Sequence, residues 1–270
     1  MHVMHRFFTS ACAVATAGVA LGTWGVTAAS ASAGGRVTVH HDASIVAGRG
    51  GALQLTRNGP TIGLSTNATK GNRYFAGYQT GVRAGSATVV AASFTVPTLS
   101  CTTATRAIIP DAGVGVARSK VSIAMVITAC VNGKPHYLPR LVLNNKAFPS
   151  TMAIAAGDVI DLTTKVSTNR TKVELTDVNT GVTAQRRGVG ASARFAWVGD
   201  DAAFDGRTAA LLHVPDFGKL TFKNCLIDGT ALGAAHPQAY QRVNSRGTVQ
   251  ISTGGFFPGG TAFITHFKHS

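Results

Sequence analysis

The chain has a single glutamate, Glu174, in 270 residues, and no glutamine lies between Gln79 and Gln185. Chemistry built on paired glutamates is therefore excluded. No Cys-x-x-Cys pair occurs and no His stands near a Cys, so the cysteine spacing fits no zinc site. No segment sustains a capped, 3.6-residue apolar period, which excludes a helical architecture. After the first 33 residues no apolar run approaches the length of a membrane span. No basic run is longer than Arg186-Arg187, and no aromatic residues interleave with basic ones, as a specific nucleic-acid platform would require. His213 and Asp216 lie close together, but no Gly-x-Ser-x-Gly elbow frames them. Gly113-Val114-Gly115 and Gly188-Val189-Gly190 precede no helix and are not phosphate loops.

What is present begins with an export signal. Met1 to Ala33 has a short basic start ending at Arg6, an apolar run from Phe7 to about Ala29, and a small-x-small site at Ala31-Ser32-Ala33. Its removal takes Arg6 and no acid, leaving 24 basic against 11 acidic side chains, a net charge of +13. A chain so charged should associate with polyanions, outside a cell anionic wall polymers, lipid headgroups or stray nucleic acid, although scattered Lys and Arg that simply solubilise a surface are the readier reading. Cys12 leaves with the signal, and Cys101, Cys130 and Cys225 remain. Three thiols in an oxidising compartment permit one bridge and one leftover.

Residues 34–71 are rich in Gly, Thr, Asn, Ala and Ser, contain no aromatic residue, and read as a flexible leader or linker. A removable pro-segment is the functional alternative, and His40-His41 falls inside it. From Asn72 the texture changes to short β-rich runs: Ala87–Val96, Val121–Val131, Tyr137–Val142, Asp158–Ser167, Thr171–Val178, Arg194–Val198, Ala209–Val214, Lys219–Ile227, Thr248–Ile251 and Thr261–Phe267. Turn residues such as Asn179-Thr180-Gly181 and Asp228-Gly229 punctuate them. Many short strands without intervening helices predict an all-β, antiparallel sandwich over residues 72–270. In Arg194–Val198, Phe195 and Trp197 alternate with Arg194, Ala196 and Val198 across the pleat, and Asp200 continues the second set. Asp200, Asp201 and Asp205, followed by Gly206, lack the alternating ligands and closing Glu of a calcium loop, so they read as a solvated loop. No metal or cofactor is expected.

Four blocks in order then carry a resemblance. They are Ser93-Phe94-Thr95-Val96-Pro97 with Cys101 after it; Ala155-Ala156-Gly157-Asp158-Val159-Ile160 leading to Val173-Glu174-Leu175-Thr176-Asp177-Val178-Asn179-Thr180-Gly181; Ala193-Arg194-Phe195; and Pro215-Asp216-Phe217-Gly218-Lys219-Leu220-Thr221-Phe222. Together with Gly259-Gly260-Thr261-Ala262-Phe263 they resemble the glutamic peptidases, or eqolisins, in their secreted bacterial form. The resemblance implies a concanavalin A-like sandwich of two large antiparallel sheets with a cleft on one concave face. It also implies a Gln and a Glu on neighbouring strands that activate a water and stabilise an oxyanion. It further implies a disulfide between Cys101 and Cys130, which leaves Cys225 as a buried, inert thiol.

Carried onto this chain, the family's Gln falls at Ile127 and its Glu at Val198. No catalytic pair is therefore expected, and Asp200 is the residue that a two-residue shift would bring to the cleft. The reading is an exported, non-catalytic binding protein of the extracellular space or wall. Its expected partners are anionic wall polymers or the membrane surface, or a polypeptide or glycan in the cleft. The alternatives are an acid-acting endopeptidase using Asp200 and a lectin-like glycan-binding module, which needs exposed aromatics on the concave face.

Overall fold

Alternation of buried and exposed residues separates the strands of this protein into two kinds. In the computed structural model, which describes residues 45–47, 69–116, 120–205, 208 and 210–269, the strands in chain order are β1 (Ile45–Ala47), β2 (Lys70–Asn72), β3 (Phe75–Gly81), β4 (Thr88–Thr95), β5 (Arg106–Val116), β6 (Lys120–Val131), β7 (Lys134–Leu143), β8 (Lys146–Pro149), β9 (Val159–Val166), β10 (Arg170–Asp177), β11 (Thr183–Val189), β12 (Ala193–Asp205), β13 (Lys219–Ile227), β14 (Thr230–Ala231), β15 (Gln238–Val243), β16 (Val249–Thr253) and β17 (Phe263–Phe267). In β9 and β10 every second residue is buried, the pattern of a strand with one face on the core and one in water. In β5 and β6 almost every residue is buried, so both faces are covered.

The pairings define two sheets. Sheet I runs β8-β7-β6-β5-β12-β3-β15. Sheet II runs β11-β10-β9-β4-β13-β17. Strand β16 pairs with both β15 and β17, which joins the sheets along one side. On the other side β8 and β11 are edges. All these pairings are antiparallel; β2 runs parallel to β15. Between the sheets lies the main core, with Val90, Phe94, Leu162 and Phe222 of sheet II against Ala112, Val126, Ala196 and Val198 of sheet I. A second apolar cluster covers the far face of sheet I: Phe75, Ile109, Met125, Ile127, Trp197 and Tyr240.

The two-sheet antiparallel sandwich is the fold that the strand pattern predicts, with local differences. Strand β5 was hidden by Pro110, Gly113 and Gly115, residues that argue against a central strand. Its ladder to β6 steps from Ile108↔Thr128 to Asp111↔Met125 across Pro110, which has no N–H to donate. Strands β3, β11 and β15 also went unread, and β12 runs seven residues past Val198. Residues 210–214 form isolated bridges at Leu211 and His213 in place of the expected strand. Within the stretch read as a flexible leader, β1 pairs with Ala203–Asp205 of β12. Residues 1–33 and His40-His41 lie outside the described residues.

Candidate functional site

Strand β12 crosses the centre of sheet I, and its alternation decides which residues meet. Phe195, Trp197 and Ala203 belong to the far-face cluster, whereas Ala196 and Val198 belong to the core between the sheets. By the same alternation Asp201 shares the face of Trp197, and Asp200 shares the face of Val198. The far face is therefore the one that carries the polar cluster, contrary to the reading from Val198 and Asp200.

Glycines make room for the rings on this face. A Cβ on Gly113 would lie 2.1 Å from Cζ2 of Trp197, and one on Gly115 would lie 2.1 Å from Cζ of Phe195. The register sets Trp197 opposite Gly113 and Phe195 opposite Gly115, so each ring lies flat across β5. Trp197 Nε1 then donates to Asp111 Oδ1 at 2.9 Å. Asp111 stands opposite Gly199, and Asp201 opposite Ile109, which makes the two aspartates diagonal neighbours on adjacent strands. Both are buried, Asp111 at 0 % and Asp201 at 6 % exposure.

Two carboxyls so placed cannot both ionise at low cost. Burial pushes Asp111 well above the usual carboxylate range, and the charge of Asp201 raises it further; the Trp197 bond acts the other way. Burial raises Asp201 to about 7, opposed by its hydrogen bond with Asp111 and by the field of Arg242. Asp111 Oδ2 and Asp201 Oδ1 otherwise have no hydrogen-bond partner. One proton held between the carboxyls converts two unpartnered acceptors into a donor and an acceptor. Arg242, fully buried, donates from Nη2 to Leu212 O at 2.9 Å. Burial lowers its pKa to about 10, while Asp200 and Asp201 hold it up. Gln79, buried opposite Trp197 on β3, completes the polar set.

The residues singled out from sequence fall elsewhere. Ile127 lies on the far face at 1 % exposure, and Val198 faces the core between the sheets at 0 %. Side chains on opposite faces cannot hold one water, so these two positions do not frame a shared site. Asp200 is not in a cleft: its Oδ2 accepts from Thr265 Oγ1 of β17 in sheet II at 2.6 Å. Burial raises its pKa to about 7. Asp200 and Asp201 are buried strand residues, not members of a solvated loop. Glu174 sits on β10 in sheet II, ion-paired with Lys172 at 2.6 Å. Cys101 and Cys130 form a disulfide. Cys225 is a buried free thiol whose pKa burial pushes up to about 12, so it stays protonated and unreactive. His213 is exposed and bridges to Arg106 through its backbone.

Sequence reasoning passed over Asp111 and Arg242, and read Asp201 as part of a solvated loop. For Asp201 the signal was available, since the alternation that joins Phe195 to Trp197 reaches Asp201 two steps on. Asp111 sits in the strand hidden by Pro110, and a lone Arg242 in a polar stretch carries no signal of burial.

Two antiparallel sheets joined along one side, with buried carboxyls on the far face of the first, define an antiparallel β-sandwich. The chain belongs to the peptidase A4 family, whose model matches residues 73–255. Among solved structures it is similar to scytalido-glutamic peptidase bound to a peptide-based transition-state analogue, at 15 % identity and a TM-score of 0.55 over 73 % of this chain and 99 % of that one. It is similar, also at 15 % identity, to SCP-B, a member of the eqolisin family of peptidases, in complex with a tripeptide; there the TM-score is 0.54, with 73 % and 99 % covered. At such identity the likeness speaks to the fold alone. No curated protein matches the chain.

Proposed function

We propose that this protein is an exported, non-proteolytic member of its family that acts by binding, outside the cell or at the wall, with an anionic polymer as its partner. The observation that carries this reading is the place of Glu174. The only glutamate in the chain lies on β10 of sheet II and is engaged by Lys172, so the far face of sheet I holds no glutamate to act as general base. The mature charge of +13 supports an anionic partner. A glycan-binding face would need an exposed aromatic platform, and Trp197 is fully buried.

One observation favours a second reading, an acid-acting peptidase. Asp111 and Asp201 are two carboxyls competing for one proton, an arrangement able to take a proton from water and return it to a leaving group. In this reading they, and not Asp200, are the acid–base pair. Incubation of the purified protein with a mixed denatured-protein substrate from about pH 2 to pH 7, where carboxylates titrate, separates the two. The binding reading predicts no cleavage at any pH from folded protein. Cleavage that vanishes in Asp201→Asn and survives in Asp200→Asn would replace it with the second.

A further inference from the structure

The outer face of β9, β10 and β11 carries a row of like charges in register. Lys165 of β9 stands directly opposite Lys172 of β10, and Lys172 directly opposite Arg187 of β11. The alternation along β9 and β10 turns Ile160, Leu162, Val173 and Leu175 inward and leaves Lys165 and Lys172 outward. Strands lie about 4.8 Å apart, so three cationic stems stand side by side across the sheet. Like charges directly opposite each other destabilise a sheet, and the row is only partly relieved. Lys172 is held by Glu174 at 2.6 Å. Arg187 Nη2 reaches only the neutral Gln185 Oε1 at 3.3 Å, and Lys165 is exposed. The other acid on these outer faces, Asp161, lies four residues along β9 from Lys165 and is engaged by Ser93 Oγ at 2.5 Å.

The positive field continues round the edge. Arg186 and Lys146 lie over the Phe148 ring, at 5.6 and 5.4 Å from its centroid. Beside them runs a groove of about 560 Å³ between Pro149–Ala153 and Val182–Arg186.

We propose that this row, Lys165–Lys172–Arg187, is the binding surface for a linear, phosphate-bearing polyanion laid across the strands. The inference rests on the binding role proposed above and assigns it to a surface remote from the carboxyl pair. Charge complementarity selects the occupant. Lysine ammonium groups and an arginine fork are the side chains that bind phosphate oxygens, and a row perpendicular to the strands matches an extended chain of anions. The segments of β9, β10 and β11 contain no aromatic residue, so the face offers no stacking platform for nucleic-acid bases.

The test measures binding of linear polyphosphate to the whole mature protein at two salt concentrations, with inorganic phosphate and a single-stranded DNA oligonucleotide of equal charge as parallel probes. The variant Lys165→Gln/Arg187→Gln is compared with Lys70→Gln/Arg246→Gln, an equal charge change at exposed residues elsewhere. The row predicts a loss of about tenfold or more for the first variant, with the slope of log affinity against log salt reduced by about 1.5 to 2 for the two contacts removed. The second variant should change less than about twofold by the same counting. Equal losses in both variants would overturn the inference, as would absence of polyphosphate binding, tighter binding of DNA, or full competition by inorganic phosphate at equal phosphate concentration. Unfolding curves matched to the parent protein establish that both variants fold. Peptide cleavage by the protein would defeat the non-proteolytic reading without touching this result, and failure of the row would leave the cleavage result intact.

Discussion

The far face of sheet I and the outer face of sheet II treat charge in opposite ways. On the first, Asp111, Asp201 and Arg242 are sealed among Trp197, Phe75 and Tyr240. On the second, Lys165, Lys172 and Arg187 stand in or near water with one acid among them. Among the described residues the acids are thus disproportionately inside and the bases outside. Asp111, Asp177, Asp200 and Asp201 are all buried, whereas Arg242 is the one buried cation among the described residues. Burial raises Asp111, Asp200 and Asp201, so in mildly acidic surroundings these three do not offset surface cations. The far face of sheet I is a buried floor on which Arg242 is the one buried cation among the described residues.

The largest expected break in this comparison comes from the floor. Gly113→Val would drive a branched side chain into the Trp197 ring, where even a Cβ meets Cζ2 at 2.1 Å. The ring cannot move without giving up its bond to Asp111. A loss of about 3 kcal/mol or more is expected, at the upper end for overpacked cores, read as a lowered denaturant midpoint. The matching change on the exposed face, Arg187→Gln, should move the midpoint little.

A smaller effect sharpens the contrast through pH. Asp200 and Asp201 have folded pKa values of about 7, and Asp111 is also raised. An unfolded aspartate titrates near 3.9. Between these values the native state binds protons that the unfolded chain has released, so stability falls as pH rises. The contribution is fully present below about pH 4 and is lost as pH climbs to about 7. Thermal unfolding should therefore show the highest Tm on the acid side, falling by roughly 10 °C across that window, which corresponds to a few kcal/mol for a domain of this size. Asp201→Asn removes one of the proton holders and should flatten the curve. Lys165→Gln, outside the cluster, should leave its shape unchanged.

Much of the fold was legible because its signals are local. Period-2 alternation in β9 and β10, and the apolar runs of β4, β6 and β13, gave strands close to their observed limits. Turn residues separated them. The family blocks pointed to the disulfide between Cys101 and Cys130, which the structure contains. What stayed hidden depends on contacts across the sheet. Strand β5 looks broken in sequence because its Gly113 and Gly115 lack side chains, yet those gaps are filled by Trp197 and Phe195 from the neighbouring strand. The candidate site failed for a sharper reason. A strand alternates with a period of two, so a shift of one residue moves every side chain to the other face. Placing the acid position at Val198 put Asp200 in view and Asp201 out of it, when Asp201 is the residue beside Asp111.

The claim on which the rest depends is that Asp111 and Asp201 hold at least one proton between them, and that in acid both carboxyls are neutral beside the Arg242 cation. A carbon-13 NMR titration of the aspartate carboxyl groups from about pH 3 to pH 8 tests it directly. The account predicts that Asp111 stays protonated through the range in which ordinary carboxylates ionise, and that Asp201 titrates with an apparent midpoint near 7. It also predicts that Asp201→Asn changes the Asp111 signal. If Asp111 and Asp201 instead both ionise below about pH 5, the far face carries two charged carboxylates in contact with water, and the account is contradicted.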